Sequence, residues 1–183
     1  MGPLQFLPVL NEASADSIEV LAREIWPEHY TSIIGKAQVD YMLETRQTRT
    51  AVLEQVRQGT FYYLIQDPQS RKAGYLALTP REGELFLSKL YLLKGERGKG
   101  YGFQALDFTR LLALGRGLPK ITLTVHKRNP SLKLYQKWGF AITGPVSTDI
   151  GGGFVMDDYQ MELPVLGDDK KTPGPDRFQR GAC

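Results

Sequence analysis

Residues 94–102 read Lys-Gly-Glu-Arg-Gly-Lys-Gly-Tyr-Gly, after an apolar run and before an amphipathic one. Glycines at such a strand-to-helix junction let free backbone N–H groups approach an anion, because no Cβ stands in the way and the helix dipole favours negative charge there. Arg97 and Lys99 add charge-assisted contacts. A pyrophosphate suits this loop, although a plain turn joining strand to helix uses the same glycines. Two nucleotide readings fail. No Gly-Lys-Ser/Thr closes the loop as in a P-loop, and the preceding strand belongs to a meander instead of opening a βαβ unit, as a dinucleotide fingerprint does.

Three stretches taken together, Leu87 to Leu93, the Arg97-x-x-Gly100-x-Gly102 loop and Leu134-Tyr135-Gln136-Lys137-Trp138-Gly139-Phe140, resemble the GNAT superfamily of acetyl-CoA-dependent N-acetyltransferases. The resemblance covers residues 4–163 or so. It implies a GNAT fold of the α/β (α+β) class: a mixed, mostly antiparallel central sheet flanked by helices, splayed near its fourth and fifth strands, with the pantetheine arm in the gap. It also implies an acyltransferase with acetyl-CoA as cosubstrate. Main-chain groups at Leu90, Tyr91 and Leu92 would pair with the pantetheine and the acetyl carbonyl, while Arg97 and the amides of Gly98, Lys99, Gly100, Tyr101 and Gly102 would hold the pyrophosphate. Tyr135 stands where the family has its general acid for the leaving thiolate; packing of the final helix accounts for a tyrosine there as well. Asn129 sits one residue from the place of a cofactor-binding asparagine, and Asn before Pro is equally a helix start. Lys137 faces either the cofactor's phosphates or solvent.

Acetyl transfer needs a neutral amine, and for an alkylamine of pKa about 10 deprotonation at neutral pH costs about 4 kcal/mol. Where family members carry a carboxylate on the strand before the loop, this chain has Phe86. Glu84, on the same strand face, is the candidate base, with a solvated strand start as the plainer reading. Trp26, Tyr30, Tyr41 and Asp157 resemble the acceptor edge of a subgroup that includes polyamine acetyltransferases, where aromatic and acidic groups suit a cationic amine. The same aromatics have the spacing of helix-to-sheet packing, and Asp157 with Asp158 also fits a turn end. The expected acceptor is a small-molecule primary amine such as a polyamine. The alternatives are a peptide amino terminus, whose pKa near ~8 lowers the deprotonation cost, and a non-catalytic acyl-CoA-binding module.

The elements that must position these residues follow from periodicity. Residues 13–25 have helical spacing, with Ser14 or Asp16 as cap and Pro27 as terminator. Residues 38–43 and 48–58 read as further helices closed by Gly59. Residues 61–65, 73–78 and 84–93 form an antiparallel meander around turn residues at 67–70 and 81–83. A helix over 100–114 then leads to a strand at 121–125, a parallel crossover that sets the glycine loop at a strand's carboxyl end. A short helix at 131–138, a strand at 140–143 and a last strand at 154–163 complete a domain over 1–164, and 165–183 reads as a flexible tail.

Composition narrows the remaining classes. The chain has 183 residues, 42% hydrophobic and 23% charged, which fits one folded core. A formal charge of +3 gives no reason for nucleic acid as a partner. One cysteine, Cys183, leaves no internal disulfide or cysteine-rich metal site, so no metal is expected. No run approaches the ~20 apolar residues of a membrane span, and no basic-then-apolar leader opens the chain, so the expected location is cytoplasmic; a homodimer stays open. Gly100→Glu should abolish binding of the phosphate ligand in calorimetry, whereas unchanged affinity would remove the loop from the site.

Overall fold

These patterns build one seven-stranded sheet covered by helices on both faces, in a computed structural model that describes residues 2–165. In chain order the elements are β1 (Gln5–Pro8), α1 (Glu12–Ile34), α2 (Lys36–Arg46), α3 (Arg49–Arg57), β2 (Phe61–Gln66), β3 (Lys72–Arg81), β4 (Glu84–Leu92), α4 (Tyr101–Gly115), β5 (Lys120–His126), α5 (Ser131–Lys137), β6 (Ala141–Gly151) and β7 (Phe154–Pro164). The strand order is β1-β2-β3-β4-β5-β7-β6, and every neighbouring pair is antiparallel except β4 with β5. The expected tail lies outside the described residues beyond Val165.

Two apolar cores lie on opposite faces of the sheet. One packs Ile18, Leu21, Ile25 and Trp26 of α1, with Val39 and Val52, against Tyr62 and Tyr75. The other packs Tyr101, Ala105, Leu106 and Ala113 of α4 against Leu76, Leu78, Leu85 and Ile121. Each large side chain buried this way contributes about 1.5–3 kcal/mol.

The structure corrects three expectations. The cap of α1 is Asn11, whose side chain accepts from Ser14 N–H while Ser14 Oγ accepts from the Asn11 N–H; Ser14 is the far half of a capping box. Pro27 does not end the helix, which continues to Ile34. Pro27 is on the exposed face, so the carbonyl it leaves unbonded can take water, while buried Trp26 and Ile33 hold the helix on either side. β6 runs to Gly151, well past the expected 140–143, because an edge strand tolerates Pro145 and a register shift at Thr143 lets Gly144 pair with Gln160. β1, a four-residue edge strand, has no counterpart in the expected elements.

The feature that matters for function is the join between β4 and β5. Their parallel pairing lasts only for Leu85↔Ile121 and Phe86↔Thr122. β4 then continues along β3 while β5 continues along β7 as far as His126↔Asp158, so two strand edges face each other across a gap. A bulge at Ser88 shifts the register between Leu78↔Leu87 and Ala77↔Lys89. Leu87, Leu90 and Leu92 accordingly face the α4 core, whereas Tyr91 packs with α1 and Lys89 reaches Gln55 of α3. Close spacing of β3 and β4 beside the gap depends on Gly74, where any Cβ would overlap the Tyr91 carbonyl. Gly74→Ala should cost about 2–3 kcal/mol, read as a lower urea midpoint; an unchanged midpoint would mean that β4 shifts freely there.

Candidate active site

The gap opens into a cleft of about 880 Å³ lined by β4 from Phe86 to Leu92, by Thr122 to His126 of β5, by Asp158 and Gln160 of β7, and by side chains of α1, α2 and α5. Its walls carry an unusual deficit. Among the described residues three buried side-chain polar atoms lack a hydrogen-bond partner, Ser88 Oγ, Thr122 Oγ1 and Asp158 Oδ1, and all three residues line this cleft. An unmet buried polar atom costs about 1–3 kcal/mol, so their clustering marks where a polar ligand can be accommodated.

At one end stands the glycine loop. Gly98 (φ 78°) and Gly100 (φ 76°) take left-handed conformations, and a Cβ on either would meet open space. The first helical hydrogen bond of α4 runs from Gln104 N–H to the Gly100 carbonyl, and no side chain among the described residues caps the helix. The loop therefore presents amides to solvent at the positive end of a helix. Gly102 has a different task, since a Cβ there would come within 2.8 Å of Trp138 Cη2. Arg97 and Gly102 line the cleft, whereas Gly98, Lys99, Gly100 and Tyr101 do not. The Tyr101 side chain is buried in the α4 core, which leaves only its main chain for a ligand. Arg97 is ion-paired with Glu28 at 2.6 Å and Lys99 with Glu96 at 3.0 Å.

Leu90, Tyr91 and Leu92 line the cleft at the unpaired edge of β4. Asn129 lines it too, with Oδ1 accepting from Ser131 N–H at 2.9 Å, so the helix-start role is filled and only its amide N–H groups remain. Lys137 is exposed and outside the lining. Tyr135 faces the cleft from α5, edge-on to Trp138 and Phe140. Burial, reinforced by nearby Tyr30, pushes its phenol well above the usual tyrosine range. The group stays protonated, the state required of an acid.

The acceptor residues divide. Trp26 and Tyr30 line the cleft, but Trp26 is buried, with its indole N–H donating to Tyr75 Oη at 2.7 Å. The Tyr30 and Tyr91 hydroxyls meet at 3.0 Å, and burial raises the Tyr30 pKa to about 12. Tyr41 is not in the lining; its hydroxyl donates to the Ile150 carbonyl at 3.0 Å and its ring lies against Gly151 and Gly152, clamping the β6–β7 hairpin onto α2. Glu84 is also absent from the lining, paired with Arg81 at 3.5 Å at the closed start of β4. Asp157 points away, into an ion pair with Lys127.

Its neighbour Asp158 is the acid that faces the cleft. It is 7% exposed, and burial raises its pKa to about 6, with the Thr124 hydroxyl acting in the opposite sense. Strand alternation separates the two aspartates: Asp157 shares a face with buried Met161 and Leu163, and Asp158 takes the other. His29 and His126 also line the cleft, both with pKa lowered first by burial. Arg46 at the end of α2 and Gln47 just beyond it carried no sequence signal, and Ser88 and Lys89, although within the stretch that resembles the family, were not singled out, because the bulge that turns Lys89 towards α3 leaves no compositional mark.

The model of the acetyltransferase (GNAT) family matches residues 18–140. Comparison with curated protein sequences gives no significant match. Solved structures with the same fold include the PaiA N-acetyltransferase from Thermoplasma acidophilum in complex with coenzyme A, at 20% identity over 90% of this chain and 99% of that one, with a TM-score of 0.72. An N-acetyltransferase from Rhodopseudomonas palustris aligns at 15% identity over 90% and 97% of the two chains, TM-score 0.76. The spermidine N-acetyltransferase from Vibrio cholerae in complex with CoA and spermine aligns at 16% identity over 88% and 95%, TM-score 0.64. At these identities the likeness is one of fold.

Asp158 has a measurable thermodynamic signature. Its folded pKa of about 6 lies above the ordinary aspartate value of 3.8, so the native state holds a proton that the unfolded state releases between these values. The associated stability is present at pH 3 and lost as pH rises through about 6. Asp158→Asn should therefore be more stable than the parent at pH 7.5, by about 2–3 kcal/mol, with the difference shrinking towards pH 4. Urea midpoints that differ equally at both values would show that the carboxylate is not desolvated.

Proposed function

The chain belongs to the acetyltransferase (GNAT) family, an acyltransferase family, and from that premise we propose that it moves an acetyl group from acetyl-CoA to a small-molecule primary amine bound between β4 and β5. The observation that carries this reading is the clustering of the three unmet buried polar atoms, Ser88 Oγ, Thr122 Oγ1 and Asp158 Oδ1, on the walls where the sheet parts.

The residues present fit the cosubstrate. Main-chain groups of Leu90, Tyr91 and Leu92 offer an unpaired strand edge for an amide-bearing arm. The amides of residues 98–102, with Arg97 and Lys99, offer donors for a diphosphate at the start of α4, and Tyr101 takes part through its main chain alone. Asn129 keeps its side-chain N–H groups for the same ligand, and Lys137 adds positive charge from α5. Acetyl-CoA supplies an activated thioester carbonyl.

Proton handling falls to the chain. Asp158 takes the proton of the incoming ammonium. An acceptor of pKa about 6 stands ~4 units below an alkylamine, about 5 kcal/mol, where an ordinary carboxylate stands ~6 units below, about 8 kcal/mol. Raising the carboxylate thus recovers about 3 kcal/mol. Tyr135, held neutral, gives its proton to the departing sulfur, and the second proton that the nitrogen sheds as the amide forms restores the phenol. Tyr30 lies within electrostatic reach of both groups and, with Trp26, forms the apolar wall behind the amine. Spermidine acetyltransferases among the structural relatives support a small amine as acceptor.

Thiol release with an amine panel, together with calorimetry of CoA binding, tests the assignment. Tyr135→Phe should lower kcat by about 10²–10⁴-fold with CoA affinity intact. Asp158→Asn should lower kcat comparably and remove the acid limb near pH 6 from the kcat/KM profile. Absence of CoA binding at millimolar ligand would end the proposal, and a parental rate in Tyr135→Phe would end that residue's role.

A further inference from the structure

The charges lining the cleft do not balance. Among the described residues, Arg46 of α2, Arg81 at the end of β3, Lys89 of β4 and Arg97 contribute four cations, and Asp158 is the one carboxylate. Arg97 is matched by Glu28 and Arg81 by Glu84. Among the described residues Arg46 and Lys89 have no acidic partner at ion-pair distance, and they are close enough for the charge of Arg46 to act on Lys89. Lys89 is half-buried, with Nζ donating to Gln55 Oε1 at 3.1 Å and lying 5.1 Å from the Tyr62 ring centre. Arg46 gives one N–H to the Ile150 carbonyl at 3.1 Å, which leaves most of its guanidinium donors open.

Holding two like charges together in a partly desolvated site opposes folding, and burial with the Arg46 charge accordingly lowers the Lys89 pKa to about 8. Packing gives no reason for this arrangement, since an apolar side chain at 89 would cover Tyr62 without the cost. An anion between them removes the repulsion and supplies the missing acceptor. Across the gap, on β7, stands the carboxylate of opposite sign.

Resting on the acetyltransferase reading above, we propose that the acceptor is an amine that also bears a carboxylate or phosphate, its ammonium drawn to Asp158 and its anionic group held by Lys89 and Arg46. A polyamine brings further positive charges towards these two cations, with one carboxylate to receive them, so this site selects against the polycationic acceptors suggested by the sequence resemblance.

Thiol release would be compared for 4-aminobutyrate, phosphoethanolamine, butylamine and spermidine, with the parent, Lys89→Met, Lys89→Gln and Arg46→Gln. The expected result is a kcat/KM for at least one acidic amine about tenfold or more above butylamine and spermidine, with the first two amines separating carboxylate from phosphate. Each variant should raise KM for the acidic amine by about tenfold to a hundredfold and leave butylamine and CoA affinity unchanged, which also shows that the fold is intact. A preference for spermidine, or equal losses for every amine, overturns the inference while the acetyltransferase reading stands. If no amine is turned over, calorimetry of the two acidic amines with CoA-loaded protein decides: no binding, or binding that Lys89→Met does not weaken, overturns it. Failure to bind CoA strikes the underlying reading instead.

Discussion

The molecule depends on a sheet that stops being one sheet partway along. β4 and β5 pair at two positions, and past Phe86 and Thr122 each follows its other neighbour. Backbone groups of two strands are thereby left without ladder partners inside the protein, a situation that folded chains avoid unless something else satisfies those groups. The two halves are joined there by packing instead of by a ladder: α4 lies on both β4 and β5, and Tyr41 of α2 holds the β6–β7 hairpin. β1 to β4 are braced by α1 to α3 on one face, while β5 to β7 depend on the long β6–β7 hairpin and on α5.

Much of this was legible from residue patterns. The meander, the crossover helix and the glycine loop announce themselves through changes of apolar period and through turn residues, and these local signals placed Arg97 and the loop glycines, whereas Tyr135 was singled out by the family resemblance. Legibility ended where tertiary packing overrules a local rule. Pro27 reads as a helix stop, yet buried contacts on both sides of it carry α1 onward. Gly144 and Pro145 read as a loop, but an edge strand accommodates both. The parting of the sheet came through family resemblance, not through composition, because paired and unpaired strand edges have the same sequence.

The buried acid of the cleft illustrates the same limit. Asp157 and Asp158 are chemically identical neighbours, and only the parity of β7, fixed by the inward Met161 and Leu163, decides which one is desolvated. Glu84 shares a strand face with Phe86 but stands at the end where the strands are still joined, so its distance from the opening, not its orientation, removes it from the walls. Keeping a carboxylate and a lysine in low-dielectric surroundings opposes folding, and such tension is characteristic of sites shaped for chemistry instead of stability.

The chain contains two tryptophans, Trp26 and Trp138, and both border the cleft, one from α1 and the other from the end of α5. Because no other indole contributes background, the intrinsic emission of the unlabelled protein is an optical record of this one region. Trp26, hydrogen-bonded within the tyrosine cluster, reports from the side of α1, and Trp138, packed over Gly102, reports from the side of the glycine loop. Occupancy of either half can thus be followed by light alone, with a single phenylalanine replacement sufficient to silence one reporter and isolate the other.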